Sequence, residues 1–408
     1  MEGLRSWLGE RFAERPWWMN VLLVFCAFMT FVYMPWDFFF KPVLADEEAW
    51  FGILLRGPAA KLTEPLHWAI YAAGTYGFWR MRPWMWPWAA LYAATVTFGM
   101  FIWPIVYLGG FGGVVLGGVS AIPLALVTRA LWRSSEWFDA KPPDLRARYG
   151  DWAVITGASA GIGAAFARAL AREGLSVVLV ARREARLREL AAEIVREHGV
   201  DTRVVAADLA DDAGVDAVVK AVADLDVAVL VNNAGAGYAG SFARQEPERL
   251  REMIALNCTA PVILTRRLLD RMLVRGRGAV IVVASVAGRQ PVPLHALYSA
   301  TKSFDLLFGE ALWVELREHG VDVLALQPGP VATEFGEVAG ERRAASLPEE
   351  RPEDCVRHAL FALGKRPSVV SGTWSTWVMA NANRFLPRAV VAFVTHDFMA
   401  RQTPAEVR

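Results

Sequence analysis

"WAVITGASAGIG", residues 152–163, joins a short apolar run, Trp152 to Thr156, to three glycines, Gly157, Gly161 and Gly163. An apolar run of this length bounded by glycine reads as a buried strand. The "AAFARALAREG" that follows reads as a helix. Glycines at such a strand-to-helix turn let backbone N–H groups and the helix N-terminus approach a pyrophosphate. The pattern continues outward with strands at 176–181, 203–206, 227–231, 279–284, 321–326 and 367–372. Between them, helices are expected at 184–198, 211–224, within 247–274 and at 296–319. This alternation predicts an α/β fold, a Rossmann-like doubly wound parallel sheet with helices on both faces.

Upstream of residue 139 the composition changes. Thirteen of the 17 tryptophans lie in the first 138 residues, among long uncharged runs, and the 408-residue chain as a whole is 54% apolar. That length accommodates two domains. Segments 16–36, 84–108 and 111–132 are each long enough to cross about 30 Å of hydrocarbon, and 65–79 is a shorter fourth. Residues 1–138 therefore read as a transmembrane helical region. "VLADEE" at 43–48 offers a small-residue cut site for the alternative of a cleaved signal peptide, but Asp37 and Lys41 interrupt the approach to it. Arg80, Arg82, Arg129 and Arg133 flank the apolar runs while 37–64 is net acidic, which predicts an integral membrane protein with its catalytic domain on the cytoplasmic side. Gly109, Gly113 and Gly117 have no preceding strand and no lysine; their four-residue spacing predicts a turn and close helix contact. Residues 139–149 read as a linker, with Pro142 and Pro143 opposing helix.

Several function classes are disfavoured. The net charge of +1 leaves no nucleic-acid footprint. Cys26, Cys258 and Cys355 are scattered without CxxC spacing, and the six histidines stand alone, so neither a disulfide framework nor a metal site is expected.

Further motifs follow the glycine turn: "AADL" with Asp208, "NNAG" at 232–235, "LNCTAP" with Asn257, "VVASVAG" with Ser285, "ALYSATKSF" with Tyr298 and Lys302, and "PGPVAT" at 328–333. In this order, and with TGxxxGxG spacing at the turn, the region 150–345 resembles the short-chain dehydrogenase/reductase family. The resemblance implies a catalytic set of Asn257, Ser285, Tyr298 and Lys302. It further implies that NADP(H) is held by Gly157, Ser159, Gly161, Ile162, Gly163, Arg182, Arg183, Asp208, Asn233, Ala234, Gly235, Pro328, Gly329, Val331 and Thr333, together with Tyr298 and Lys302. Asp208 would bond the adenine amino group, and Lys302 would bind ribose hydroxyls and join Asn257 in a water-mediated proton relay.

The Tyr298–Lys302 spacing has its own physical reading. Residues i and i+4 share a helix face, so the ammonium favours the ionised phenol and lowers a pKa that is about 10 when unperturbed. Tyr298 then serves as a general acid or base near neutral pH, and Ser285 can hold the reacting oxygen by a hydrogen bond. Taken one at a time, such residues are ordinary helix surface, a turn and a cap; taken in order they point to catalysis. His295 reads as a first-turn helix residue facing water, or as a side chain of the substrate mouth.

The strand end "VARRE" carries Arg182 and Arg183 where an acid would select NAD, so NADPH is preferred, although Ala160 is not a further basic residue. The polar segment after "PGPVATEF" would shape the substrate site. Residues 346–408 form an extension holding the last strand and an amphipathic helix with Phe385, Leu386, Val390, Val391, Phe393 and Phe398, suited either to a membrane surface or to the domain's own core. The expected activity is NADPH-dependent reduction of a carbonyl on an apolar substrate of the 3-ketoacyl, steroid or terpenoid type. The alternatives are an alcohol dehydrogenase running in the oxidising direction and a non-catalytic NADPH-sensing membrane protein. A homodimer through the helices at 247–274 and 296–319 is expected by analogy alone.

Overall fold

The computed structural model describes residues 16–50, 53–82, 84–134, 138, 144–340 and 349–408. The chain divides into two compact units, Met1–Pro142 and Pro143–Arg408. The expected linker's first half, 139–143, and most of the polar substrate segment, 341–348, lie outside the described residues.

In the first unit α1 (Trp17–Phe40) contains a π turn at Met29–Tyr33. A hairpin of β1 (Glu47–Trp50) and β2 (Ile53–Arg56) follows, then α2 (Pro58–Arg80), α3 (Met85–Leu108) and α4 (Gly110–Trp132). The helix expected at 65–79 thus begins at Pro58, a residue whose missing N–H costs nothing in a first turn. Gly109 turns the chain at φ +65°, and a Cβ on Gly113 would lie 2.6 Å from the Pro104 carbonyl oxygen, so α3 and α4 pack backbone to backbone as their glycine spacing predicts. Among the described residues, three helices, α1, α3 and α4, are long and apolar enough to cross a membrane. The extended α2 carries Lys61, Glu64, His67 and Arg80 and is not among them.

That helix also completes a buried charge network. Asp37, Asp46 and Glu64 bring carboxylate oxygens within 4.8 Å of one another. Two ammoniums already lie among them, Lys41 at 3.1 Å from Asp37 and 2.7 Å from Asp46, and Lys61 at 3.3 Å from Glu64 and 3.5 Å from Asp46. Buried charges persist only when paired in this way, and here the pairing ties α1, the β1 approach and α2 together.

The second unit opens with α5 (Leu145–Tyr149), a correction to the linker expected at 139–149. Asp144 caps it by accepting from the Ala147 N–H at 2.9 Å, and the buried Tyr149 donates to Asp322 at 2.7 Å. The alternating elements are β3 (Trp152–Thr156), α6 (Gly161–Arg172), β4 (Ser176–Ala181), α7 (Glu184–His198), β5 (Thr202–Ala206), α8 (Asp212–Ala221) and β6 (Val227–Asn232). Next come α9 (Pro247–Ile254), a π turn at Ala255–Thr259, α10 (Ala260–Arg275), β7 (Gly278–Val283), α11 (Ala296–Arg317) and β8 (Val321–Pro328). The remainder is α12 (Phe335–Val338), α13 (Pro352–Ala362), β9 (Ser368–Ser371), α14 (Trp374–Ala382) and α15 (Arg388–Gln402).

All seven strands of the large sheet run parallel in the order β5-β4-β3-β6-β7-β8-β9. Phe166, Leu170 and Leu187 pack on one face, and Leu264, Leu268 and Met272 on the other. Strands buried on both faces read as continuous apolar runs, which explains why β6 and β7 show no alternation. The order reverses between β3 and β6, and in open sheets that reversal opens a crevice at the strands' C-terminal ends.

Candidate active site

The glycine turn sits at this crevice. Gly157 (φ +67°) and Gly161 (φ +53°) adopt the left-handed region that side chains disfavour. A Cβ on Gly157 would come within 2.7 Å of Asn233 Nδ2, and one on Gly161 within 2.8 Å of Thr333 Cγ2. The turn is clamped to β6: Asn233 donates to the Thr156 carbonyl at 2.8 Å, and the Thr156 hydroxyl accepts from the N–H groups of Asn233 and Ala234, each at 2.9 Å. Gly163 lies behind, against the Gly157 carbonyl, and Ile162 packs on the sheet's core.

Ser285 follows β7. Its Oγ accepts from the Ala287 N–H at 3.1 Å, which leaves its own proton for another acceptor. Tyr298 and Lys302 share one face of α11 and both line the cleft. The Tyr298 ring stands 5.4 Å from that of Phe335 and 6.1 Å from that of His295. Lys302 is buried and donates to the Val283 carbonyl at 2.7 Å and to Asp305 Oδ2 at 2.9 Å. Burial opposes its charge, but Asp305 and Tyr298 outweigh burial, so the Lys302 pKa is raised.

Asn257 lies in the π turn, fully buried and behind the cleft. Its Oδ1 accepts from the Ala236 N–H at 2.9 Å, and its Nδ2 donates to the Ala236 carbonyl at 2.9 Å and to Thr301 Oγ1 at 3.0 Å. It grips the chain just after "NNAG". A Cβ on Gly235 would lie 3.3 Å from Asn257 Oδ1 and 3.4 Å from Lys302 Nζ, so glycine lets the backbone pass between them. His295 does not face water as its first-turn position suggests: it is 3% exposed and lines the cleft, and burial pushes its pKa down to about 4 and keeps it neutral. Burial, with Asp305 adding to it, pushes the Cys258 thiol up to about 11.

At the end of β4, Arg183 donates to Ser159 Oγ at 2.8 and 3.1 Å and pairs with Glu334, which Arg186 meets at 2.8 Å. The two arginines hold the Glu334 carboxyl below the usual range. Arg182 stands 3.5 Å from Asp208, whose other oxygen accepts from the Ala210 N–H at 3.0 Å. Arg186 and Glu334 escape a motif reading because 148 residues separate them. Ser159, Arg182, Arg183, Asp208 and Glu334 line a cleft of about 900 Å³, shared with Ser285, Tyr298 and Lys302, that is also lined by Pro328, Gly329, Val331, Thr333, Ala234 and Gly235. The C-terminal helices complete it: Val378, Met379, Leu386, Val391, Val394, Phe398 and Met399 form an apolar wall. Hydrogen bonds from Asn383 to the Arg289 carbonyl and from Thr395 to the Pro291 carbonyl, both 2.8 Å, fasten that wall, and the Ser241 N–H holds the Val407 carbonyl at 2.7 Å beyond it. Packing on the domain itself therefore claims one face of the amphipathic helix.

The family model described as "short chain dehydrogenase" matches residues 151–344. A very-long-chain 3-oxoacyl-CoA reductase of Homo sapiens is 34% identical over 219 residues, covering 53% of this chain and 69% of that protein. The chain belongs to the short-chain dehydrogenase/reductase family. Among solved structures, one described by its 7beta-hydroxysteroid dehydrogenase stereoselectivity superposes with a TM-score of 0.57 at 30% identity, covering 62% of this chain and 98% of its own. A short-chain dehydrogenase from Sphingobium yanoikuyae in complex with NADPH gives 0.52 at 34% identity, covering 58% and 94%. This short-chain dehydrogenase/reductase is thus an oxidoreductase dependent on a nicotinamide dinucleotide. Its residues fit such a cofactor, because the turn at Gly157–Gly161 has glycine at both ends and abuts a helix N-terminus, and Arg182, Arg183 and Arg186 gather at the β4 end.

Proposed function

We propose that this short-chain dehydrogenase/reductase reduces a carbonyl group on an apolar, lipid-like substrate with NADPH, beside a membrane. One observation carries the reading: the cavity that holds Ser285, Tyr298 and Lys302 also holds Arg182 and Arg183 and the apolar side chains of α14 and α15. The relative that acts on very-long-chain 3-oxoacyl-CoA supports an acyl substrate, and the neighbour solved with NADPH supports that cofactor.

When bound, NADPH supplies hydride to the carbonyl carbon. Tyr298 donates its phenolic proton to the carbonyl oxygen, and the Lys302 ammonium stabilises the phenolate left behind. Because Lys302 is buried, its field acts through a low dielectric and is not spent on water. Ser285 already accepts from Ala287, so its hydroxyl donates to the same carbonyl oxygen and stabilises the developing charge. Asn257 keeps the Ala236 backbone and Thr301 in register beneath the reacting groups. Arg182 and Arg183 take the 2′-phosphate by charge-assisted hydrogen bonds, and Asp208 takes the adenine amino group. His295 is uncharged and does not compete for the substrate proton.

The membrane part of the reading has two supports. Helices α1, α3 and α4 have the length and apolarity of spans. On the tail Trp377 of α14, Phe385 of the turn after it and Phe393 of α15 are 54%, 87% and 74% exposed, with Arg384 and Arg388 near them in sequence, a mix of apolar and basic side chains suited to a lipid interface. The test is turnover by the full chain in lipid nanodiscs, followed by NADPH consumption with 3-oxoacyl-CoA thioesters of increasing length. Turnover should favour NADPH over NADH, and kcat/KM should rise with chain length. No turnover, or equal turnover of short and long chains, refutes the reading.

A further inference from the structure

Asp305 lies three residues beyond Lys302 on α11 and belongs to none of the motifs that define the site. It is 2% exposed, and its Oδ2 accepts from the Lys302 ammonium at 2.9 Å. Its Oδ1 has no hydrogen-bond partner among the described residues. A buried carboxylate with half its acceptor capacity unmet is costly, and an apolar residue would fill this helix position without that cost. Its effect is therefore sought at Lys302. The ammonium donates in two directions, to the carboxylate one turn on along its own helix and to the Val283 carbonyl at the end of β7. These two acceptors fix where the charge sits relative to Tyr298.

We propose that Asp305 is a positioning residue of the reduction site, which anchors the Lys302 side chain and supplies the counter-charge that lets a buried ammonium keep its proton. The other titratable groups acting on Lys302 are Tyr298, from the same helix, and Cys258, from the π turn. The Cys258 thiol, at about 11, is uncharged at neutral pH. Asp305 is the carboxylate in direct contact with the ammonium, at 2.9 Å. Without it, burial acts on Lys302 with its nearest opposing charge removed, and the proton leaves at lower pH. The Tyr298–Lys302 pair also gives up its first proton more readily, whichever partner loses it, because a neighbouring negative charge is gone.

Consequences for turnover rest on the reaction proposed above, but the primary test does not. The chain has six lysines, so NMR of lysine labelled with carbon-13 at the ε position resolves Lys302, assigned by loss of its signal in Lys302→Arg. The probe is the full chain in nanodiscs with NADP+ added. In Asp305→Asn, which is isosteric, Lys302 should titrate about one pH unit or more below wild type. In Asp305→Glu, which keeps the charge, it should stay near wild type. An Asn variant that titrates like wild type, or a Glu variant that shifts as far as Asn, overturns the assignment. In kinetics with NADPH and a 3-oxoacyl-CoA, the high-pH limb of kcat/KM should move down in Asp305→Asn while the KM for NADPH stays within about twofold; an unmoved limb also overturns it. A wild type that reduces no thioester refutes the proposed substrate, whereas the Lys302 titration still decides the role of Asp305.

Discussion

Replacing Arg183 with alanine is expected to weaken NADPH about tenfold while NADH binding stays within about twofold. The guanidinium leaves the end of β4, donates to Ser159 Oγ at 2.8 and 3.1 Å, and is 43% exposed. Hydrogen bonds to charged groups contribute about 1.5–3 kcal/mol, and solvent screening at this exposure removes roughly half, leaving about 0.8–1.5 kcal/mol, a factor of roughly four to thirteen. Glu334 modifies the sum. Its carboxylate pairs with Arg183 and Arg186, so an arriving phosphate exchanges one anion for another. In the variant Glu334 keeps only Arg186 and faces the phosphate with more of its charge uncompensated. The assay is a fluorescence titration of the full chain with NADPH and NADH at low and high salt, and the NADPH advantage should shrink as salt rises. Equal loss for both cofactors, or no loss for either, refutes the role of Arg183 at the phosphate.

Other expectations follow from the same geometry. Glu334→Gln removes the competing anion and should tighten NADPH by a factor of about three, with NADH as the control; weaker NADPH binding would mean that Glu334 orders the arginines. Tyr298→Phe keeps the ring packing on Phe335 and should lower kcat by about two orders of magnitude or more with NADPH affinity unchanged, so wild-type turnover would remove the acid from Tyr298. Asn257→Leu breaks three hydrogen bonds, one buried and two part-buried, and should lower the stability of the catalytic unit by about 1–3 kcal/mol, read as a fall in its thermal midpoint; an unchanged midpoint would count against its role as a clamp. His295 has a folded pKa of about 4, so the unfolded chain binds the extra proton between pH 4 and its ordinary value of 6.5. Stability is therefore fully present above pH 6.5 and falls as pH drops toward 4, by at most roughly 3 kcal/mol. His295→Asn should flatten that slope in thermal melts, and parallel slopes would discard the argument.

The sheet was legible because its evidence is local. Each of its strands is an apolar run closed by a turn residue, and Gly157, Asp208, Asn232 and Ser285 all stand at or just beyond strand ends. The Tyr298–Lys302 pair was legible because four-residue spacing on a helix fixes a shared face. Asp305 was not, since an acid three residues after a lysine on a helix ordinarily reads as a solvated ion pair and only the packed fold buries it. Arg186 and Glu334 meet through tertiary structure alone. The hairpin β1–β2 and the early start of α2 were missed because "EEAW" and "ILLR" are short and the charges at Lys61 and Glu64 look like solvent-facing residues until Asp37, Lys41 and Asp46 are packed against them. Composition could not decide the tail: an apolar stripe on a helix suits lipid and protein equally, and α15 was assigned its inner face only by the cleft it lines.

The wall formed by α14 and α15 comes after Asn257, Ser285, Tyr298 and Lys302 in the chain and is fastened by a few hydrogen bonds to Arg289, Pro291 and Ser241. In the proposed reaction, chemistry and selectivity are in this way written in separate stretches of polypeptide. Drift in the last helices can retune which molecules are accepted without disturbing proton or hydride delivery, and grafting that stretch between homologues would transfer a preference for guest shape onto an unaltered reactive centre.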